Sequence, residues 1–179
     1  MARPVLIVAH PGHELCLYGW MRSRRPTVCA LTDGSGRAEA PRAAYSADLA
    51  RGCGALLGPI FGARPDPAWY ADILAGDAEP FLAAARAIAE AAEPGALVVA
   101  DPVEGYNPMH DLAAAVGDAV AAAIGGARAT YGLMARPAGD APPMDRATLA
   151  AKRAAVAAYA PLATESAARS GAVTEPMKG

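Results

Sequence analysis

The apolar positions of this chain follow two rhythms. Short unbroken runs stand at residues 5–9 (VLIVA), 27–31 (TVCAL), 96–100 (ALVVA) and 129–133 (ATYGL). That is the pattern of strands buried on both faces. Between them run segments of helical periodicity. Residues 15–22 carry Leu15, Leu17, Tyr18 and Met21, and residues 43–57 stop at Gly58. In residues 79–92, Phe81, Leu82, Ala85 and Ile88 share a face before Pro94-Gly95. Residues 112–124 end at Gly125-Gly126, and residues 145–159 start with Asp145 as the predicted N-cap. Residues 59–78, rich in Pro, Gly and Asp, read as a long surface loop or short 3₁₀ pieces. A Pro-rich loop precedes Asp145, and the last dozen residues read as a frayed end. Strands alternating with helices predict one Rossmann-like α/β domain over residues 1–165, a mostly parallel sheet with helices on both faces. Residues 166–179 are expected to form a C-terminal tail.

In such sheets ligands bind in the loops at the carboxyl ends of the strands. Three segments are expected there: residues 10–14, 33–36 and 101–110. The chain has 3 histidines and all fall in these segments. His10 and His13 are separated by two residues on one turn, and His110 closes another loop. The plainer reading makes each a hydrogen-bonded loop residue. The sharper one brings three neutral imidazoles together as ligands of Zn2+ or another divalent transition metal, with an open position for water. Four carboxylates lie close in sequence. Asp101 is placed to hold a histidine's second nitrogen. Glu14 either caps the following helix or serves as a base. Glu104 shares the His110 loop, and Asp33 either forms the turn or lines the pocket. A carboxylate within reach of the activated water would supply general-base help, typically 10²–10⁴-fold.

Composition narrows the class. The 179 residues are 54% hydrophobic and 19% charged, with a net charge of −2, which excludes a disordered chain and a general nucleic-acid binder. Cys16, Cys29 and Cys53 lack a paired framework, arguing for a reducing cytosol and small buried hydrophobes. No run approaches the roughly 20 apolar residues of a membrane span, so a cytoplasmic protein is expected. Gly34-Ser35-Gly36 reads as a plain turn, because the spacing of a dinucleotide fingerprint fails at Glu39. Arg22, Arg24 and Arg25 suit the end of a helix. Trp20, Trp69 and Tyr70 read as packing residues, and Tyr106 as a substrate contact.

The segment Val5-Leu6-Ile7-Val8-Ala9-His10-Pro11-Gly12-His13-Glu14 resembles the N-terminal signature of the PIG-L/LmbE-like N-acetylglucosaminyl deacetylases, a strand followed by Ala-His-Pro-Asp-Asp-Glu. Leu31-Thr32-Asp33-Gly34 resembles that family's second strand end. Asn107-Pro108-Met109-His110 takes the place of its His-Pro-Asp-His, and Lys152, Ala155 and Tyr159 resemble its C-terminal helix. The resemblance implies a metal held by His10, His13 and His110, with His13 replacing an aspartate ligand. It also implies an N-acylated amino sugar or glycoconjugate as substrate. The family's general-base aspartate falls at Gly12, which cannot take a proton, and Met109 replaces another aspartate.

The expected activity is zinc-dependent amide hydrolysis. Glu14 or Glu104 would accept the proton, and Asn107 would steady the oxyanion. Two alternatives stand beside it. One is a metal- or ligand-binding member without deacetylase activity; the other is a different metal-dependent reaction at a three-histidine site. A small-molecule substrate is expected, with no nucleic acid and no membrane span. The alanine-rich helices leave room for a homo-oligomer.

Overall fold

The VLIV run becomes β1 (Val5–Val8), whose four residues are all buried. Unbroken burial of a strand needs a neighbour on each edge and cover on each face. In the computed structural model β1 pairs in parallel with β2 (Thr27–Thr32) on one side and β4 (Val98–Ala100) on the other. The edges are β3 (Leu56–Arg64) and β5 (Arg128–Thr130), giving five parallel strands in the order β3-β2-β1-β4-β5. The structure describes residues 2–36, 42–131 and 144–161.

The connections are α1 (Tyr18–Arg24), preceded by a 3₁₀ turn (His13–Leu17), then α2 (Ala43–Gly52), α3 (Asp66–Ala75), α4 (Glu79–Ala91) and α5 (Pro108–Ile124). Alternate strand residues face opposite ways. Val5, Ile7 and Ala9 join Cys29, Leu31, Val98 and Ala100 in one core with Trp69 of α3, Phe81 and Ile88 of α4, and Met109 and Val116 of α5. Leu6 and Val8 face the other way and are equally buried. There α2 packs on β2 and β3, burying Ala47, Leu49 and Ala50, none of which belongs to the first core. The domain is therefore a Rossmann-like α/β layer structure with helices on both faces of the sheet.

The chain divides into two compact units, Met1–Pro143 and Met144–Gly179. The expected boundary at residue 165 lies outside the described residues, as do the Pro-rich loop at 132–143 and the tail. Within the second unit, α6 (Arg146–Ala158) starts at Asp145, whose side chain accepts the Thr148 N–H at 2.6 Å, as its N-cap position predicts. Lys152 and Ala155 lie on this helix.

Two expectations require correction. Residues 59–78 are no loop: β3 runs to Arg64 and α3 follows from Asp66. The Gly and Pro of LLGPIFGAR read as breakers, but β3 is an edge strand with an irregular register, where proline is tolerated. Its glycines allow close approach: a Cβ at Gly58 would lie 2.3 Å from Cys29 Sγ, and one at Gly62 2.4 Å from Ala43 Cβ. Pro67 sits in the first turn of α3, which a missing N–H does not harm. Second, the helix expected over 43–57 stops at Gly52, because residues 56–57 belong to β3.

The strand order reverses between β1 and β4, which opens a crevice beyond their carboxyl ends. His10 follows β1 there and Asp101 follows β4.

Candidate metal centre

The three histidines meet in this crevice. Their ring centroids lie 5.4 Å (His10–His13), 5.2 Å (His10–His110) and 4.7 Å (His13–His110) apart. His10 and His13 share the turn after β1, which is tightened by Gly12 at φ 110°. That left-handed conformation favours glycine. His110 arrives differently from the expectation. It sits in the first turn of α5 rather than on a loop, because Asn107 caps that helix and Pro108 opens it. The Asn107 Oδ1 accepts the Met109 N–H at 3.1 Å.

A carboxylate holds the Nδ1 of each ring. Asp66 Oδ1 lies 2.8 Å from His10 Nδ1, Asp101 Oδ2 3.0 Å from His13 Nδ1, and Glu104 Oε2 2.6 Å from His110 Nδ1. Burial works against charge on Asp66. Hydrogen bonds from His10 and the Gly36 amide outweigh it and leave the carboxyl below its usual value. Burial opposes charge on Asp101 as well. The bond from His13, helped by Tyr131 and the Ala9 amide, holds that carboxyl low too. Ionised carboxylates only accept, so Nδ1 of His10 and of His13 carries a proton and Nε2 is the nitrogen left to face a ligand.

The tautomer of His110 follows from Asn107. Its Oδ1 already accepts from Met109 N–H and, at 3.2 Å, from the Tyr70 hydroxyl, so its Nδ2 faces His110 Nε2 at 2.9 Å. An amide nitrogen only donates, so Nε2 accepts and the Nδ1–H donates to Glu104. Burial, reinforced by His13, lowers the His110 pKa, which favours the neutral ring.

The remaining expected residues find the following places. Asp101 holds a histidine nitrogen, as expected. Glu14 is not at the cluster as a free base: it is fully buried, and its carboxylate accepts the Gly12 N–H at 2.8 Å and the Ser46 hydroxyl. It ties the turn to α2. Glu104 stays beside the rings, bonded to His110 and to the hydroxyl of the exposed Tyr106. Asn107 stands at the cluster with its amide on His110. Asp33 forms the turn after β2, accepting the Ser35 and Asp66 amides at 2.9 and 3.3 Å. Trp69 packs in the core, its indole donating to Leu31 O at 2.9 Å. Cys29 and Cys53 are buried, and burial pushes their thiols up to about 12 and about 11. Cys16 is exposed, against expectation, because it lies on the outer side of the short 3₁₀ turn.

Asp66, Thr32, Tyr70 and Tyr131 were absent from the candidate set. Thr32 Oγ1 lies 3.1 Å from His10 Nδ1. The missed signal for Asp66 was the Pro-Asp-Pro opening of α3, a helix start read as loop.

The residues present suit a divalent metal. Three imidazoles converge and each is oriented by a carboxylate on its Nδ1, the usual surroundings of a histidine ligand. A metal on His110 Nε2 would replace the Asn107 amide there. Among the described residues, the set whose ligand atoms all lie within 4.8 Å of one another is His13, Asp101 and His110, without His10. Asp101 is the weaker ligand of the two readings, since Oδ2 already accepts from His13 and Ala9 and Oδ1 from Tyr131. No known protein family, characterised protein or solved structure matches the chain. Among the described residues no helix is long and apolar enough to cross a membrane.

Proposed function

We propose that the protein is a divalent-metal-dependent hydrolase of amide bonds, with the metal held by His10, His13 and His110. The single observation that carries this reading is the set of three converging imidazoles, each fixed at Nδ1 by its own carboxylate. When bound, a zinc-like cation supplies a Lewis acid that polarises an acyl oxygen and acidifies a water. The chain supplies the rest. Asp66, Asp101 and Glu104 keep the ring protons on Nδ1. Three imidazole ligands would bring no negative charge of their own to the cation, and the carboxylates behind them would offset part of its charge through the rings. Asn107, released from His110, offers its amide N–H to a developing oxyanion. Neither expected proton acceptor stands free on the Nε2 side: Glu14 is sequestered, and Glu104 lies behind the His110 ring on its Nδ1. The substrate class, a small N-acylated amino sugar or glycoconjugate, rests on the resemblance of the His10–Glu14 turn to the PIG-L/LmbE-like deacetylases. Cytoplasmic location and self-association belong to the same proposal.

A second reading is a metal-binding protein without hydrolysis. Gly12 at the family's base position and the buried Glu14 favour it. Assay of the zinc-loaded protein on N-acetylated amino sugars separates the two. Release of acetate, abolished by His13→Ala, is the expected result. Stoichiometric zinc without turnover on the panel would favour the second reading.

A further inference from the structure

Ala9, Asp101 and Tyr131 are the first residues beyond three strands that lie side by side. Ala100 of β4 is in register with Ile7 of β1 and with Thr130 of β5. Asp101 therefore leaves the sheet between a neighbour on either hand, and it bonds to both. Its Oδ2 accepts the Ala9 N–H at 2.9 Å and the His13 Nδ1–H at 3.0 Å, and its Oδ1 accepts the Tyr131 hydroxyl. The carboxylate is completely buried.

We propose that Tyr131 is a positioning residue of the histidine cluster: its hydroxyl holds the Asp101 carboxylate so that the opposite oxygen faces His13. A carboxylate at a strand end can turn about its side-chain bonds. The Ala9 and His13 donors both act on one oxygen and do not fix the plane. The Tyr131 donor fixes the other oxygen from the far side, through a ring with only two rotatable bonds. A buried carboxylate oxygen without a donor is strongly disfavoured, so removing the hydroxyl gives Asp101 a reason to turn toward another partner. Burial, together with the nearby Asp101 charge, raises the Tyr131 pKa well above its usual value and keeps it a donor. The chain of contacts runs from Tyr131, just beyond the edge strand β5, through Asp101 to His13. Only the effect on metal affinity rests on the metal reading; the orientation of His13 does not.

The test uses the full chain and Tyr131→Phe, which keeps the ring volume and removes only the hydroxyl. Amide spectra of β1 and β4 report that the variant is folded. The decisive readout is the His13 Nδ1–H proton of metal-free, ring-labelled protein. We expect a persistent downfield resonance in the wild type and loss or rapid exchange of it in the variant. Zinc affinity, read by competition with a chelator, is expected to fall about tenfold in the variant. A His13 proton as persistent in Tyr131→Phe as in the wild type overturns the proposal. If the wild type takes up no zinc, the metal reading fails, while the proton resonance still decides the role of Tyr131.

Discussion

Asp66 Oδ1 and His10 Nδ1 lie 2.8 Å apart, although 56 positions separate them along the chain and His10 opens the turn after β1 while Asp66 opens α3. The contact joins the first strand to the helix that follows the sheet's edge strand. It fixes the tautomer of the first histidine, as Asp101 and Glu104 fix the other two. Asp66→Asn keeps the size of the side chain and removes its charge. It is expected to weaken zinc binding about 10–100-fold with one site per chain retained. Chelator competition on the folded variant measures it.

Asn107 makes opposed demands on the site. Its Oδ1 caps α5 and its Nδ2 occupies His110 Nε2. Asn107→Ala should destabilise the metal-free protein by about 1 kcal/mol through the lost cap. Zinc affinity should hold or rise, because the cation no longer displaces an amide. Denaturant melts with and without zinc read both effects. A loss of affinity larger than the loss of stability would count against His110 as a ligand through Nε2.

Glu14 is a structural acid in this account. Glu14→Ala leaves the Gly12 N–H and the Ser46 hydroxyl without their acceptor and should cost about 1–3 kcal/mol. Glu14→Gln retains an acceptor for Gly12, and Ser46 can turn to accept from the new amide, so most of the stability should return. Zinc stoichiometry is expected to be unchanged in Glu14→Gln. Were Glu14 the base instead, Glu14→Gln would abolish turnover in a protein of near-native stability.

Gly12 has φ 110° and ψ −25°. Restoring an aspartate there, as the resembled family has it, puts a side chain where L-residues are strained. Gly12→Asp and Gly12→Ala should each lose at least about 1–2 kcal/mol, visible as a lowered midpoint of denaturation. An aspartate tolerated without cost would mean that the turn relaxes readily.

The strands at the centre of the sheet were legible because β1, β2 and β4 are continuous apolar runs, and complete burial is what such runs require. The meeting of the histidines was legible too, since His10 and His13 follow β1 and His110 lies on the connection after β4, although in the first turn of α5 and not in the loop. β3 and α3 were not, because Gly58, Pro59, Gly62, Pro65 and Pro67 signal turns locally. Their real roles, an irregular edge strand and a helix start, depend on contacts with Cys29 and Ala43 that only the folded sheet creates. Asp66 was hidden with them. Glu14 was ambiguous for another reason: its partner Ser46 lies 32 positions away, and a carboxylate next to a ligand gives no sign in one dimension of which way it points.

The most direct test is to load the purified protein with zinc, measure the metal per chain and count its imidazole ligands by X-ray absorption. The account predicts one zinc per chain with three histidine ligands, falling to two imidazoles or to no bound zinc in His10→Ala. A chain that retains no stoichiometric zinc, or one whose zinc shell is the same in His10→Ala, would contradict it.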